Sequence, residues 1–244
     1  MEVFWEFIII LILSLFQSLF GIGLLLFGTP TFLFIGYDFE STLALLLPIS
    51  VTISFLQIMY EKSSIRSLAS EFNIFCLPYL VIFLLLVINL GNVIEIRTYV
   101  AAALIISSIL ILNKNRFIKI DTFILKYRKL SLVFIGTVHG FTNMGGSFLS
   151  MFSTVVTADR ASARKYIAFG YLVMGTLQYI TLLIFGTRHI DLDNLYYVIV
   201  PLVVFFPTQN LFKKIDDWLF MNIITYIALI FGFLVLGNSL KTIF

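Results

Sequence analysis

LSLVFIGTVHGFTNMGGSFLSMFSTVVTA, residues 130–158, runs 29 positions without a charged side chain. As one straight helix it would measure about 44 Å, against a bilayer hydrocarbon core of about 30 Å. Its centre, His139 to Ser147, gathers Gly140, Gly145 and Gly146 with the amide of Asn143. Glycine and asparagine are poor helix formers, so the break belongs there. Cut at that point, the stretch yields two arms of roughly 14 residues, about 21 Å each, enough to pass the midplane and return. The reading is a re-entrant helical hairpin.

Residues 7–37 repeat the pattern, again too long for one crossing and again interrupted, by Gly21, Gly23 and Gly28 with Pro30. A second hairpin follows. The other charge-free intervals are 41–60, 72–94, 98–113, 166–187, 194–212 and 218–240, each close to a span in length. With 60% hydrophobic and 12% charged residues and a mean hydropathy of +1.06, the 244-residue chain has too little polar surface for a soluble globule. The fold class expected is an all-α integral membrane protein of about eight hydrophobic segments. Trp5, Tyr60 and Trp218 fall near interval ends, where amphipathic rings favour the headgroup zone. Glu2 and Glu6 stand where a signal peptide would be basic, so none is expected. The lone Cys76 excludes an internal disulfide.

Basic residues assign the sides, because they concentrate in cytoplasmic loops. The segment 113–129 carries Lys114, Arg116, Lys119, Lys126, Arg128 and Lys129, and is taken as cytoplasmic. If both hairpins return to their own side, Lys62, Arg66, Arg160, Arg164, Lys165, Lys213 and Lys214 join it inside. Only Arg97, Arg188 and Lys241 stay outside, together with both termini. A second hairpin that crossed the bilayer would instead put Arg160, Arg164 and Lys165 outside. The net charge of +3 is thus a matter of topology, and no nucleic-acid partner is expected.

The halves echo each other. Gly21, Gln57 and Pro78 match Gly140, Gln178 and Pro201 at offsets of 119, 121 and 123, and SFLQIM stands beside GTLQYI. Residues 1–112 form a first membrane repeat, 113–129 a cytoplasmic basic linker and 130–244 a second repeat. Each repeat is a hairpin plus three spans. Three is odd, so the second copy is inverted relative to the first, an architecture common among secondary transporters with substrate near the midplane.

These residues carry a family resemblance. Gly21-Ile22-Gly23 with Pro30 and Gly36, then Gly136, Gly140, Asn143 and Gly145-Gly146-Ser147, resemble the paired glycine motifs of the sulfite exporter TauE/SafE family of membrane transporters. The resemblance covers nearly the whole chain and is stronger in the second half. Leu24, Leu25, Leu45 and Leu46 replace polar or glycine positions usual in the first. It implies transport of sulfite or an organosulfonate across a bacterial inner membrane.

The residues point to an anion independently. No acidic or basic side chain lies within the intervals, although a carrier of metal ions or protons ordinarily shows a carboxylate there. Helix N-termini at the breaks, near Gly28-Thr29 and Gly145-Gly146-Ser147, offer backbone N–H groups instead. Thr29, Asn143 and Ser147 add neutral donors, and His139 adds a charge if protonated. Gln57 and Gln178 are either interhelical glue or a midplane pair, and the glycines either binding or packing positions. The candidate substrate site is therefore Gly21, Gly23, Gly28, Thr29, Gln57, His139, Gly140, Asn143, Gly145, Gly146, Ser147 and Gln178. No cofactor or metal is expected, since the Gly21-x-Gly23 motif lacks the strand and lysine of a nucleotide loop. An intramembrane enzyme and a structural assembly subunit are the alternatives. The first lacks carboxylates and multiple histidines in the intervals; the second needs no paired breaks.

Overall fold

The computed structural model describes residues 2–61, 66–90, 93–113, 119–187, 192–212, 225–226 and 228–237. Among them the order is α1 (Glu2–Phe20), α2 (Leu24–Phe34), α3 (Phe39–Tyr60), α4 (Arg66–Phe75), α5 (Leu77–Leu90), α6 (Ile96–Leu112) and α7 (Lys119–Lys126). Then come α8 (Arg128–Thr142), α9 (Gly145–Val156), α10 (Arg160–Phe185), a 3-10 helix (Leu192–Val198), α11 (Ile199–Phe212) and α12 (Ala228–Gly237). No strand occurs among the described residues. Three stretches, Phe39–Tyr60, Leu68–Leu90 and Arg160–Phe185, are long and apolar enough to cross a membrane, with shorter apolar helices beside them. The molecule is a helical membrane protein. Lys62, Lys114, Arg116, Arg188, Lys213, Lys214, Lys241 and Trp218, used above to assign sides and interfaces, lie outside the described residues.

Both overlong intervals break. Between α1 and α2 the chain turns at Gly21 and Gly23, whose φ angles of +79° and +136° are readily reached only without a side chain. Between α8 and α9 it turns at Asn143, in the left-handed conformation at φ 62°, with its N–H bonded to the His139 carbonyl at 2.8 Å. Asparagine is the usual alternative to glycine at such a helix end. Two expectations need correction. Gly28 and Pro30 lie inside α2, so the returning arm starts at Leu24 rather than near Thr29. The arms are also unequal, 19 and 11 residues in the first pair and 15 and 12 in the second. Proline is tolerated inside helices of membrane proteins, where hydroxyls and neighbours satisfy freed backbone groups; the Thr31 hydroxyl donates to the Phe27 carbonyl at 2.6 Å.

The most extensive helix contact is between α3 and α10, which run antiparallel. At one end the Thr187 N–H and hydroxyl donate to Glu40 at 2.8 and 2.7 Å. At mid-length Gly175 packs against Val51, and at the other end Arg164 pairs with Glu61 at 2.9 Å. Both helices begin with the same cap. Asp38 accepts from the Ser41 N–H, and Asp159 from the Ser162 N–H, each at 2.9 Å. The caps, the helix starts Phe39 and Arg160, and the arm starts Leu24 and Gly145 are all 121 positions apart.

Close approach elsewhere depends on glycine. On α8, a side chain at Gly136 or Gly140 would strike the backbone carbonyls of Cys76 and Leu80, so α8 lies directly on the start of α5. Small residues that let backbones touch are a main source of helix association in lipid, where apolar burial alone provides little drive. Interval 194–212, expected as one span, divides into the 3-10 helix and α11. Pro201 falls in the first turn of α11, where its missing N–H breaks no helical bond.

Candidate substrate site between the helix breaks

The two hairpins touch where their polar residues are densest. The Asn143 side-chain amide, at the tip of the second hairpin, donates to the Thr29 hydroxyl on the returning arm of the first at 2.9 Å. Both residues are buried. The carbonyl oxygen of the Asn143 side chain has no partner in the protein. Behind it α9 begins at Gly145, so the N–H groups of Gly145, Gly146 and Ser147 belong to its first turn, where no earlier carbonyl is positioned to receive them. Ser147 is buried and donates to the Met144 carbonyl at 3.1 Å.

Gln57 and Gln178 occupy equivalent places. Gln57 donates to the carbonyls of Gln17 at 2.8 Å and Ser18 at 3.3 Å, near the end of α1. Gln178 donates to the His139 carbonyl at 3.5 Å, near the end of α8. Ser18 and Gln57 are 39 positions apart, as are His139 and Gln178. The side-chain oxygen of Gln57 is buried without a partner, and the Gln178 side chain lies beside the His139 ring. They do not meet as a pair; each braces its own hairpin.

His139 is fully buried, with the Gln178 side chain within reach of its ring. Its ring meets that of Tyr171 edge to face, with centroids 6.0 Å apart. The Tyr171 hydroxyl presses on Gly146, where a Cβ would overlap it, while a Cβ on Gly145 would strike His139 and the Ile135 carbonyl. Gly28 packs against Leu46 and Leu13, and Gly21 stands beside Ile167 and Arg164. Gly28, Gly145 and Gly146 thus permit tight contact, Gly21 is set by its positive φ, and Gly140 serves α5 rather than the break. Thr29, His139, Asn143, Gly145, Gly146 and Ser147 gather around the second tip; Gly21, Gly23 and Gln57 belong to the first break.

Several polar residues escaped the sequence reading. Gln17 donates to the Ser50 hydroxyl at 2.9 Å and the Ser54 hydroxyl at 3.2 Å, giving the first half a polar seam despite Leu24, Leu25, Leu45 and Leu46. Arg164, read as a loop anchor, is only 3% exposed. Its guanidinium donates to Glu61, to the Ser18 carbonyl at 2.6 Å and to Gln209 at 2.7 Å. A cation on the last carbonyls of α1 also opposes that helix's dipole. The signal was the D-x-x-S cap at Asp159, which places Arg164 within the second turn of α10 rather than in a loop.

At the end where Glu40 meets Thr187, an open cavity of about 360 Å³ is lined by Asp38, Glu40, Glu95 and Arg97 among others. Three carboxylates against one guanidinium give it negative character. Near the breaks the space is closed to about 10 Å³, lined in part by Leu26, Ser107, Ser108, Ser147 and Thr225. That is the room of about one water molecule. Among the described residues, no three His, Cys, Asp or Glu side chains are placed so that they could hold a metal ion. The chain matches no family model, no curated protein and no solved structure.

Proposed function

We propose that this chain is a secondary transporter of the TauE/SafE type, not an enzyme, which moves a small sulfur oxyanion or organosulfonate across a bacterial inner membrane. The observation that carries the reading is the junction itself: the buried second helix break joined to the returning arm of the first hairpin by the Asn143 to Thr29 hydrogen bond, among neutral polar side chains left partly unpaired. An oxyanion accepts several hydrogen bonds at once and suits donors of this kind, including the first turn of α9.

The architecture proposed with it is a pair of inverted-topology repeats, each a re-entrant hairpin and three spans. The duplicated aspartate caps, arm starts and glutamine-to-carbonyl bonds support the repeat, and the antiparallel α3 and α10 support the inversion. Transporters of this design hold substrate where broken helices of the two repeats meet. The proposed direction is export. With the basic segment 113–129 in the cytoplasm, the acidic cavity faces outward, where it repels entering anions and hastens their departure.

Purified protein in liposomes, given labelled sulfite, methanesulfonate, thiosulfate and acetate with and without a proton gradient, tests the reading. Saturable flux of the sulfur anions is expected. Flux of a cation and of no anion overturns it.

A further inference from the structure

Between the returning arms α2 and α9 lies the closed cleft of about 10 Å³. Its walls come from both halves. Leu26 and Ser147 are 121 positions apart, as are Ser107 and Ala228, and all four line the cleft. It therefore straddles the junction of two equivalent sets of elements, and at each pair one half supplies a hydroxyl where the other supplies an apolar group. Ser107, Ser108 and Ser147 are 2%, 1% and 3% exposed, and Thr225 is 1% exposed.

Serines inside membrane helices ordinarily bond to a carbonyl three or four residues back. Ser107 does so, donating to Leu104 at 3.1 Å, and Ser147 does so toward Met144. Ser108 does not: its hydroxyl is buried, lines the cleft and has no partner. An unsatisfied hydroxyl at that depth is costly unless something else receives it. Ser147, which also lines the cleft, lies in the first turn of α9, whose free N–H groups are suited to an anion.

We infer that this cleft is the selectivity subsite of the transporter, in which Ser108, Ser107 and Thr225 bind the oxygens that the α9 N-terminus does not reach. The inference rests on the transport reading above and names residues outside its tip. The polar lining of the cleft comes from α6, from α9 and from residue 225. Three such donors can each take one oxygen of an SO₃ group, whereas a carboxylate offers two oxygens and leaves one donor unused. Sulfite and sulfonates are thus favoured over acetate, and the margin resides in the α6 hydroxyls. Binding opens the cleft by parting α2 from α9 and turns the Ser107 and Ser147 hydroxyls from their own carbonyls to the anion.

The test compares wild type with Ser108→Ala, the double variant Ser107→Ala/Ser108→Ala, and Ser131→Ala, whose hydroxyl bonds to its own Tyr127 carbonyl away from the cleft. Liposome flux and detergent melting temperature are read with sulfite, methanesulfonate and acetate. In Ser108→Ala the KM for sulfite and methanesulfonate rises roughly tenfold with the maximal rate kept, as loss of a hydrogen bond to a charged ligand predicts. The KM for acetate changes less, and the melting shift given by methanesulfonate shrinks. Ser131→Ala behaves as wild type. Anion flux that persists with unchanged KM and unchanged melting shift in both cleft variants overturns the subsite and leaves the transport reading standing. A wild type that moves none of the anions overturns both.

Discussion

Gly146 and Tyr171 decide between two roles for the second glycine pair. Because the Tyr171 hydroxyl occupies the space of a Gly146 Cβ, Gly146→Ala forces that ring off its place beside His139. Overpacking of this kind costs about 1–3 kcal/mol. Tyr171→Phe removes the obstructing oxygen, so the double variant recovers much of the melting temperature lost in Gly146→Ala. No recovery would mean that the glycine is required for its backbone and not for its fit against Tyr171. At Asp159, bonds from the Ser162 N–H and hydroxyl hold the carboxyl below the usual carboxylate range. A lowered native pKa stabilises the fold above the unfolded pKa of about 3.9, and that contribution is lost as pH falls through the native value. Asp159→Asn therefore flattens the acid limb of the melting curve, and an unaltered limb would remove the cap from the account. The site residues were legible in the sequence as types. Asn143 and Gly145-Gly146-Ser147 mark a break in any apolar run, but which glycine serves packing depends on partners such as Leu80 and Tyr171 that are far away in sequence.

Among the elements, α1 shows where sequence reading falls short. Gly28 and Pro30 look like breakers, yet α2 carries both, and the first arm runs 19 residues, about 28 Å. That length brings the end of α1 to Arg164, at the opposite end of α10 from Thr187. Removing the guanidinium in Arg164→Ala takes this donor from Glu61 and the Gln209 side-chain oxygen, and leaves the Ser18 carbonyl only its longer bonds from Gln57 and Gln209. Breaking a buried pair from one side costs about 3–5 kcal/mol. The expected result is a large fall in melting temperature, partly restored by Glu61→Gln in the same chain. A variant as stable as wild type would show that the pair contributes nothing. The burial of Arg164 was hidden because three basic residues near a span end read equally well as a loop anchor; only the aspartate cap at 159, unread, distinguished them.

At the scale of the molecule, the proposed repeat is suggested by Gln57 and Gln178, while its proposed inversion rests on counting spans. The proposed sidedness is checked in a Cys76→Ala background with single cysteines at Glu2, Thr122, Ser162 and Ile190. Membrane-impermeant reagent added outside is expected to label positions 2 and 190 and spare 122 and 162. Labelling of 162 from outside would mean that the second hairpin crosses.

The contact of α3 with α10 also has a consequence for biosynthesis. About 100 residues separate the end of α3 from the start of α10, so at about 5–20 residues per second α3 waits about 5–20 s for its partner to leave the ribosome. Ser50, Ser54 and Gln57 lie on α3, and hydrocarbon offers them nothing. Gln17, already synthesised, closes on Ser50 and Ser54, and Gln57 closes on the α1 carbonyls. The first half thus enters the bilayer with this seam paired within itself. Glu40 and Glu61, at the two ends of α3, are left for partners not yet made, until Arg164 and then Thr187 are translated.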